Sequence, residues 1–186
     1  PLYLAALFNL VAGAAVLAVH VAANRGKVVP KLRSRDLGLL FGIAMAGGIF
    51  APLMFNVGIY LGTAAVAALL MNTEAMFTIL LAYAVLKERL RPPEYAAIAV
   101  ILACAVVIST NLDPGSIQVA QLASLLIVLS AFGWSVDNTL SRALVSRQDI
   151  LFIFLFKTLI GGSILLCMVA GLGIPLSLSQ GSMSLI

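Results

Sequence analysis

Long apolar stretches alternate with short polar connections along the whole chain. Six stretches of 17–24 mostly apolar residues can be delimited, and each is long enough for an α-helix to cross the hydrocarbon core of a bilayer. The predicted spans are residues 1–22, 37–60, 63–86, 94–110, 119–141 and 150–170. This pattern predicts an all-α polytopic membrane protein with six transmembrane helices.

The connections between these spans alternate in charge. Ten of the eleven Lys and Arg residues lie in the first, third and fifth connections, whereas the second and fourth contain none. Because basic connections remain in the cytoplasm, this pattern places both ends of the chain outside. A missed or an additional span would break the alternation, so the charge pattern supports the six-span prediction.

Composition restricts the classes of function. Hydrophobic residues make up 62% of the chain and charged residues 10%, against roughly 25% charged residues in soluble domains. The net charge of +4 follows from the basic connections and does not indicate a nucleic-acid-binding surface. Cys104 and Cys167 lack metal-ligand or disulfide spacing, so we interpret them as small buried apolar residues. Because the sequence also lacks a Gly-rich phosphate loop, we predict no cofactor, no nucleotide and no nucleic acid as a partner.

The first and last spans resemble each other. When residues 1–23 are aligned with residues 149–171, at an offset of 148, six positions are identical. The identical pairs are Leu7/Leu155, Phe8/Phe156, Gly13/Gly161, Leu17/Leu165, Val21/Val169 and Ala22/Ala170. The two copies lie five spans apart, an odd number, so they would cross the membrane in opposite directions. Inverted repeats of this kind are typical of secondary transporters, whose substrate sites lie near the midplane between the halves.

Two segments carry a resemblance to a known family. Residues 72–82 (NTEAMFTILLA), followed by 86–90 (LKERL) and Pro92, resemble the EamA branch of the drug/metabolite transporter superfamily. In that branch a glutamate-proline pair, an apolar run, G-E-R-L and a proline end the fourth helix. Residues 134–142 (WSVDNTLSR) are similar to the W-x-x-D-N-x-x-x-R opening of the second repeat in some members.

The resemblance implies ten helices in two inverted five-helix repeats around a central cavity. Residues 1–112 would be helices two to five of the first repeat, and residues 118–186 the truncated start of the second. The implied function is secondary transport of small metabolites or drugs across the plasma membrane. This sequence departs from the family pattern at Ala75, where a proline is usual, and at Lys87, where a glycine is usual.

Other classes of function fit the sequence less well. A membrane-embedded enzyme would need paired carboxylates, a metal-ligand set or a Ser/His dyad at one depth, and the sequence predicts none, so we expect no enzymatic activity. The remaining alternative is a non-transporting membrane scaffold or sensor. We expect a small-molecule substrate and membrane lipids as partners, and the sequence predicts no oligomeric state. Because the chain begins with Pro1, we expect it to be a piece of a longer protein.

Three ionisable residues lie inside the predicted spans: Glu74, Asp137 and Lys157. A charged Asp or Lys at the centre of a membrane helix costs at least ~2.5 kcal/mol on insertion scales, so each must face protein, a partner or a watery cavity. Glu74 lies at the centre of the third span. We interpret it either as a cavity carboxylate that binds substrate or carries a proton, or as a structural hydrogen-bonding group.

The polar residues around Lys157 leave alternatives open. Lys157 could pair with Asp137 at similar depth on the neighbouring span, pair with Glu74, or bind substrate without a fixed partner. Its equivalent in the repeat is Asn9, and both are predicted to face the helix bundle. Trp134 shares a helix face with Asp137, which suits either a cavity wall or packing. The other candidate binding or coupling residues are Asn72 and Asn138.

Overall fold

The computed structural model describes residues 2–23, 32–110 and 117–171, which form helices and contain no strand. The six helices are α1 (Leu2–Ala23), α2 (Ser34–Leu61), α3 (Ala64–Leu86), α4 (Pro92–Thr110), α5 (Ile117–Val145) and α6 (Ile150–Gly171). Five of them are long and apolar enough to cross a membrane, and α4 contributes a shorter apolar helix, Pro92–Val107. The all-α membrane class predicted from hydropathy is therefore confirmed. Most of the first connection, the connection between α4 and α5 and the tail from residue 172 lie outside the described residues.

Helix α2 changes its winding halfway along. Residues Ser34–Ile43 and Ala51–Leu61 are α-helical, and Ala44–Phe50 between them form a π-helical segment. Pro52 lies just beyond this segment and has no N–H to donate to the preceding turn. The irregularity of α2 is thus a widened turn before the proline, of the kind often found at functional sites.

Helix α3 is interrupted at Met71 and Asn72, so the predicted span over residues 63–86 consists of two helical segments. The Asn72 side chain donates to the Leu69 carbonyl at 2.9 Å, and the Thr73 hydroxyl donates to the Leu70 carbonyl at 2.7 Å. These bonds satisfy backbone oxygens at the break, where the membrane interior offers no water. The interruption places Glu74 in the first turn of the second helical segment.

The second segment of α3 ends in a left-handed residue. Lys87 has φ 58° and ψ 29°, and its N–H donates to the carbonyl of Ala82. It is the one non-glycine residue with positive φ in the part of the chain that the structure describes. Glycine is usual at such helix ends because it lacks the Cβ that crowds this conformation. The left-handed backbone conformation therefore explains why the family usually has glycine at this position.

Helices α1 and α6 pack antiparallel along their whole length. Gly13 of α1 lies against Thr158, and Gly162 of α6 lies against Asn9, so residue numbers rise along one helix as they fall along the other. At the far end of the pair, His20 lies 3.6 Å from Asp149. Glycines at the crossing allow the two backbones to approach closely.

Helix α5 lies against both α2 and α3, and α6 joins it around the π-helical segment of α2. A core cluster between α2, α5 and α6 fills the end that the charge pattern assigns to the cytoplasm. Its buried members are Leu40, Ile43, Leu144, Phe152 and Ile153. Cys104 and Cys167 are exposed, so the prediction that both are buried is wrong.

Candidate functional site

An ion pair joins α5 and α6 inside the helix bundle. Lys157 Nζ lies 2.7 Å from Asp137 Oδ2, and the Ser141 hydroxyl donates to the other oxygen of the same carboxylate at 3.1 Å. Asp137 is 2% exposed, whereas the Lys157 side chain is 20% exposed. The predicted Asp137–Lys157 pair is therefore present, and a pair between Lys157 and Glu74 is not formed. The Lys157 ammonium also lies 5.2 Å from the centre of the Phe154 ring.

The π-helical segment of α2 brings two glycines against this pair. A Cβ on Gly47 would overlap the Asp137 carboxylate, and a Cβ on Gly161 of α6 would lie 2.8 Å from the Gly48 Cα. A real Cβ atom cannot occupy these positions without displacing its neighbours. Glycine at Gly47, Gly48 and Gly161 therefore allows α2 to cover the ion pair closely.

A cavity of about 580 Å³ lies between α1, α2, α5 and α6, within the size range of small-molecule sites. Its polar and aromatic lining residues are Phe8, Asn9, Phe55, Asn56, Trp134, Phe154, Lys157 and Thr158. The Lys157 side chain lines the cavity, and its carboxylate partner is almost completely buried behind it. Trp134 packs edge-on against Phe55, with ring centres 5.3 Å apart.

Two asparagine side chains line this cavity in the same manner. Asn9 Nδ2 donates to the Ala5 carbonyl at 3.0 Å, and Asn56 Nδ2 donates to the Pro52 carbonyl at 2.7 Å. Asn9 is one of the candidates predicted from sequence, as the repeat equivalent of Lys157. Asn56 was missed, although an amide four residues after a proline in an apolar helix was an available signal.

Glu74 lies elsewhere, on the contact between α3 and α5. Asn138 Nδ2 donates to Glu74 Oε1 at 2.8 Å, and the Ser135 hydroxyl donates to the Glu74 carbonyl at 2.8 Å. Neither Glu74 nor Asn138 is among the residues that line the cavity. Asn72 lies at the helix break and borders a separate hollow of about 260 Å³ between α3 and α4. The structure thus brings Asn9, Trp134, Lys157 and its partner Asp137 together, and separates the other three candidates from them.

A second buried carboxylate lies at the end of the bundle assigned to the cytoplasm. Asp36 is 2% exposed, accepts a hydrogen bond from Gln148 at 3.2 Å and lies 3.8 Å from an Arg147 guanidinium nitrogen. The sequence does not single out Asp36, because it lies next to the basic residues around the start of α2. The contacts of this buried carboxylate link the start of α2 to the connection between α5 and α6.

Comparison with known proteins agrees with this architecture. The EamA-like transporter family matches residues 1–110, which is more than half of the chain. The chain belongs to the EamA-like transporter family. An uncharacterized transporter from Methanothermobacter thermautotrophicus is 33% identical to this EamA chain over 153 residues, covering 81% of the chain and 45% of the relative. The chain therefore spans about half the length of that relative. No solved structure matches the chain.

The family membership confirms the resemblance found in the sequence motifs. Residues 1–110 contain α1 to α4, so the family match includes the α1 and α2 walls of the cavity. Similarity to the archaeal transporter covers 81% of the chain, so it continues beyond residue 110. The membrane-embedded, multi-pass character of the chain and its place among transporters follow from these observations together with the apolar helices.

Proposed function

We propose that this EamA-family chain forms part of a secondary transporter that moves small metabolites or drugs across the plasma membrane through the cavity between α1, α2, α5 and α6. The observation that carries the proposal is the lining of that cavity. Lys157, Asn9 and Asn56 are polar groups in a largely apolar wall, at the junction of four membrane helices. Polar groups in a largely apolar wall suit a small molecule, and transporter sites commonly lie between helices in this way.

The contact between α1 and α6 supports an inverted repeat. Contacting residues across this pair have numbers that add up to about 171, as in Gly13 with Thr158 and Asn9 with Gly162. The repeat equivalent of a residue in α1 lies 148 positions later, in α6. With these contacts, a residue near position 11 or 12 lies beside its own repeat equivalent. That position is the middle of α1, where a two-fold axis relating two inverted repeats would pass.

Coupling to protons belongs to the same proposal, with Glu74 as the proton carrier. Its carboxyl is hydrogen-bonded to the neutral amide of Asn138, and no basic side chain lies within ion-pair distance of it among the described residues. A carboxyl group can bind and release a proton, and Glu74 supplies the carboxyl at this contact between α3 and α5. Asn138 directly follows Asp137 on α5, so a shift of α5 would change the surroundings of both carboxyl groups.

Glu74→Gln tests the coupling, because glutamine keeps the hydrogen-bonding shape of a protonated glutamate and cannot release a proton. The purified protein is reconstituted in proteoliposomes, and accumulation of amino acids, amines and cationic drugs is measured with and without a pH gradient. We expect normal folded yield and loss of gradient-driven accumulation. The control is Glu94→Gln, the same change in a half-buried carboxyl at the start of α4, away from the contact between α3 and α5.

The outcomes separate the alternatives. If Glu74→Gln accumulates substrate against the gradient at the normal rate, Glu74 is a structural hydrogen-bonding group and the coupling proposal is wrong. If the folded protein with its native sequence gives no flux of any compound, the transport proposal is also wrong. The function is then that of a non-transporting scaffold or sensor.

A further inference from the structure

Each of the two amides in the cavity keeps its acceptor oxygen and one of its two N–H groups for a ligand. In both Asn9 and Asn56 the Nδ2 group donates to the carbonyl four residues earlier in its own helix. A carbonyl oxygen can only accept, so the atom bonded to it must be the nitrogen of the amide, which fixes the orientation of both side chains. The two Oδ1 atoms accept no hydrogen bond from any residue that the structure describes.

The charge of the cavity is neutralised from within. Lys157 is the ionisable residue in the cavity lining, and its ammonium lies 2.7 Å from the Asp137 carboxylate. The carboxylate is buried and further held by the Ser141 hydroxyl. An anionic ligand would therefore meet a lysine that already has a counter-ion, and it would have to compete with a carboxylate that cannot reach water. Anions gain little from such a site.

The rest of the wall suits an apolar body. Phe55 and Trp134 form an edge-to-face pair along one side of the cavity, and both belong to its lining. Aromatic faces contribute large contact areas to small-molecule sites, and the cavity volume of about 580 Å³ accommodates a ring with a short polar chain.

We propose that the cavity selects small non-anionic molecules whose polar end donates N–H or O–H hydrogen bonds to the Oδ1 atoms of Asn9 and Asn56, and whose apolar body lies against Phe55 and Trp134. The inference rests on the proposed function, since it takes the cavity as the transport site. A ligand without donors leaves both oxygens unpaired on desolvation, so it is disfavoured by more than the bonds it fails to form. Asn9 and Asn56 are then the residues that determine specificity.

The chain provides its own binding reporter, because Trp134 is its single tryptophan and lines the cavity. Three probes share one phenyl body: phenylacetamide, which donates two N–H bonds, its N,N-dimethyl derivative, which donates none, and the anion phenylacetate. Each is titrated into the purified protein while Trp134 fluorescence is followed. We expect phenylacetamide to bind about tenfold more tightly than either of the others, the ratio anticipated for two neutral hydrogen bonds.

Variants assign the selectivity to the two amides. Asn9→Leu with Asn56→Leu should reduce the ratio of Kd values for the dimethyl and primary amides to about one, since neither probe then finds an acceptor. Ser163→Leu is the matched control, a polar-to-leucine change at an exposed position of α6 away from the cavity lining, and it should keep the tenfold ratio. Circular dichroism verifies that each variant is folded.

Three results would overturn the inference: equal binding of the two amides, tighter binding of phenylacetate, or no fluorescence response from a folded protein. Flux in proteoliposomes, measured with the same probes, keeps the two proposals apart. Selective binding without flux would refute transport and leave the ligand selectivity standing. Flux of phenylacetate or of the dimethyl amide at the rate of phenylacetamide would leave transport standing and refute the selectivity.

Discussion

Removing one charge of the Asp137–Lys157 pair should destabilise the protein more than removing both. Loss of one partner of a buried ion pair typically costs about 3–5 kcal/mol, whereas replacing both can be nearly neutral. The structure also predicts which of the two single variants loses more stability. Lys157→Met leaves a carboxylate that is 2% exposed, with Ser141 as its remaining donor, so its cost should lie near about 5 kcal/mol. Asp137→Asn leaves an ammonium on a side chain that is 20% exposed to the cavity, so water can solvate it and its cost should lie near about 3 kcal/mol.

The measurement is a double-mutant cycle. The free energy of unfolding is determined for the native protein, both single variants and the double variant by reversible SDS titration, with circular dichroism as the signal. We expect the double variant to lie within about 1 kcal/mol of the native protein, whereas additive effects would lower its stability by about 8 kcal/mol.

A matched control comes from the exposed pair between Arg142 and Glu88, whose side chains are 60% and 45% exposed. Solvent screens this pair, so the cycle of Arg142→Met and Glu88→Gln should give a coupling of about 1 kcal/mol or less. An additive result for Asp137→Asn and Lys157→Met would refute the pairing and return Lys157 to the groups available for an anionic substrate. A Lys157→Met variant as stable as Asp137→Asn would refute the argument from unequal burial.

Three further predictions follow from backbone packing and topology. Gly47→Ala should lower stability by about 1–3 kcal/mol in a thermal-melt or SDS assay, because its Cβ overlaps a buried carboxylate, whereas Gly38→Ala, with open space around it, should be neutral or stabilising. Lys87→Gly should raise stability by about 1 kcal/mol, since Lys87 holds a left-handed conformation, and a decrease of similar size would contradict this account. A cysteine at exposed Ala64 should react with a membrane-impermeant reagent applied outside intact cells, and one at exposed Ser34 should not; the reverse pattern would overturn the orientation.

The sequence by itself determined the class of the protein, its helices and its family. These properties depend on sums over neighbouring residues: the hydropathy of a window, the charge of a connection, or a motif such as residues 86–90 (LKERL). A bilayer requires each spanning segment to satisfy its own backbone, so helix positions follow from local composition with little help from tertiary contacts. The Asp137–Lys157 pair could also be predicted from the sequence, because two buried charges on consecutive antiparallel helices have few other partners.

The tertiary structure decided which polar residues share a cavity. Asn56 joins Asn9 and Lys157 there because α2 lies against α5 and α6 through glycines, whereas Glu74 faces Asn138 because α3 packs on the other side of α5. Hydropathy reports the depth of a residue in the membrane and not its direction around the helix. That direction is set by contacts between segments far apart in the chain, where a single Cβ decides how closely two backbones approach.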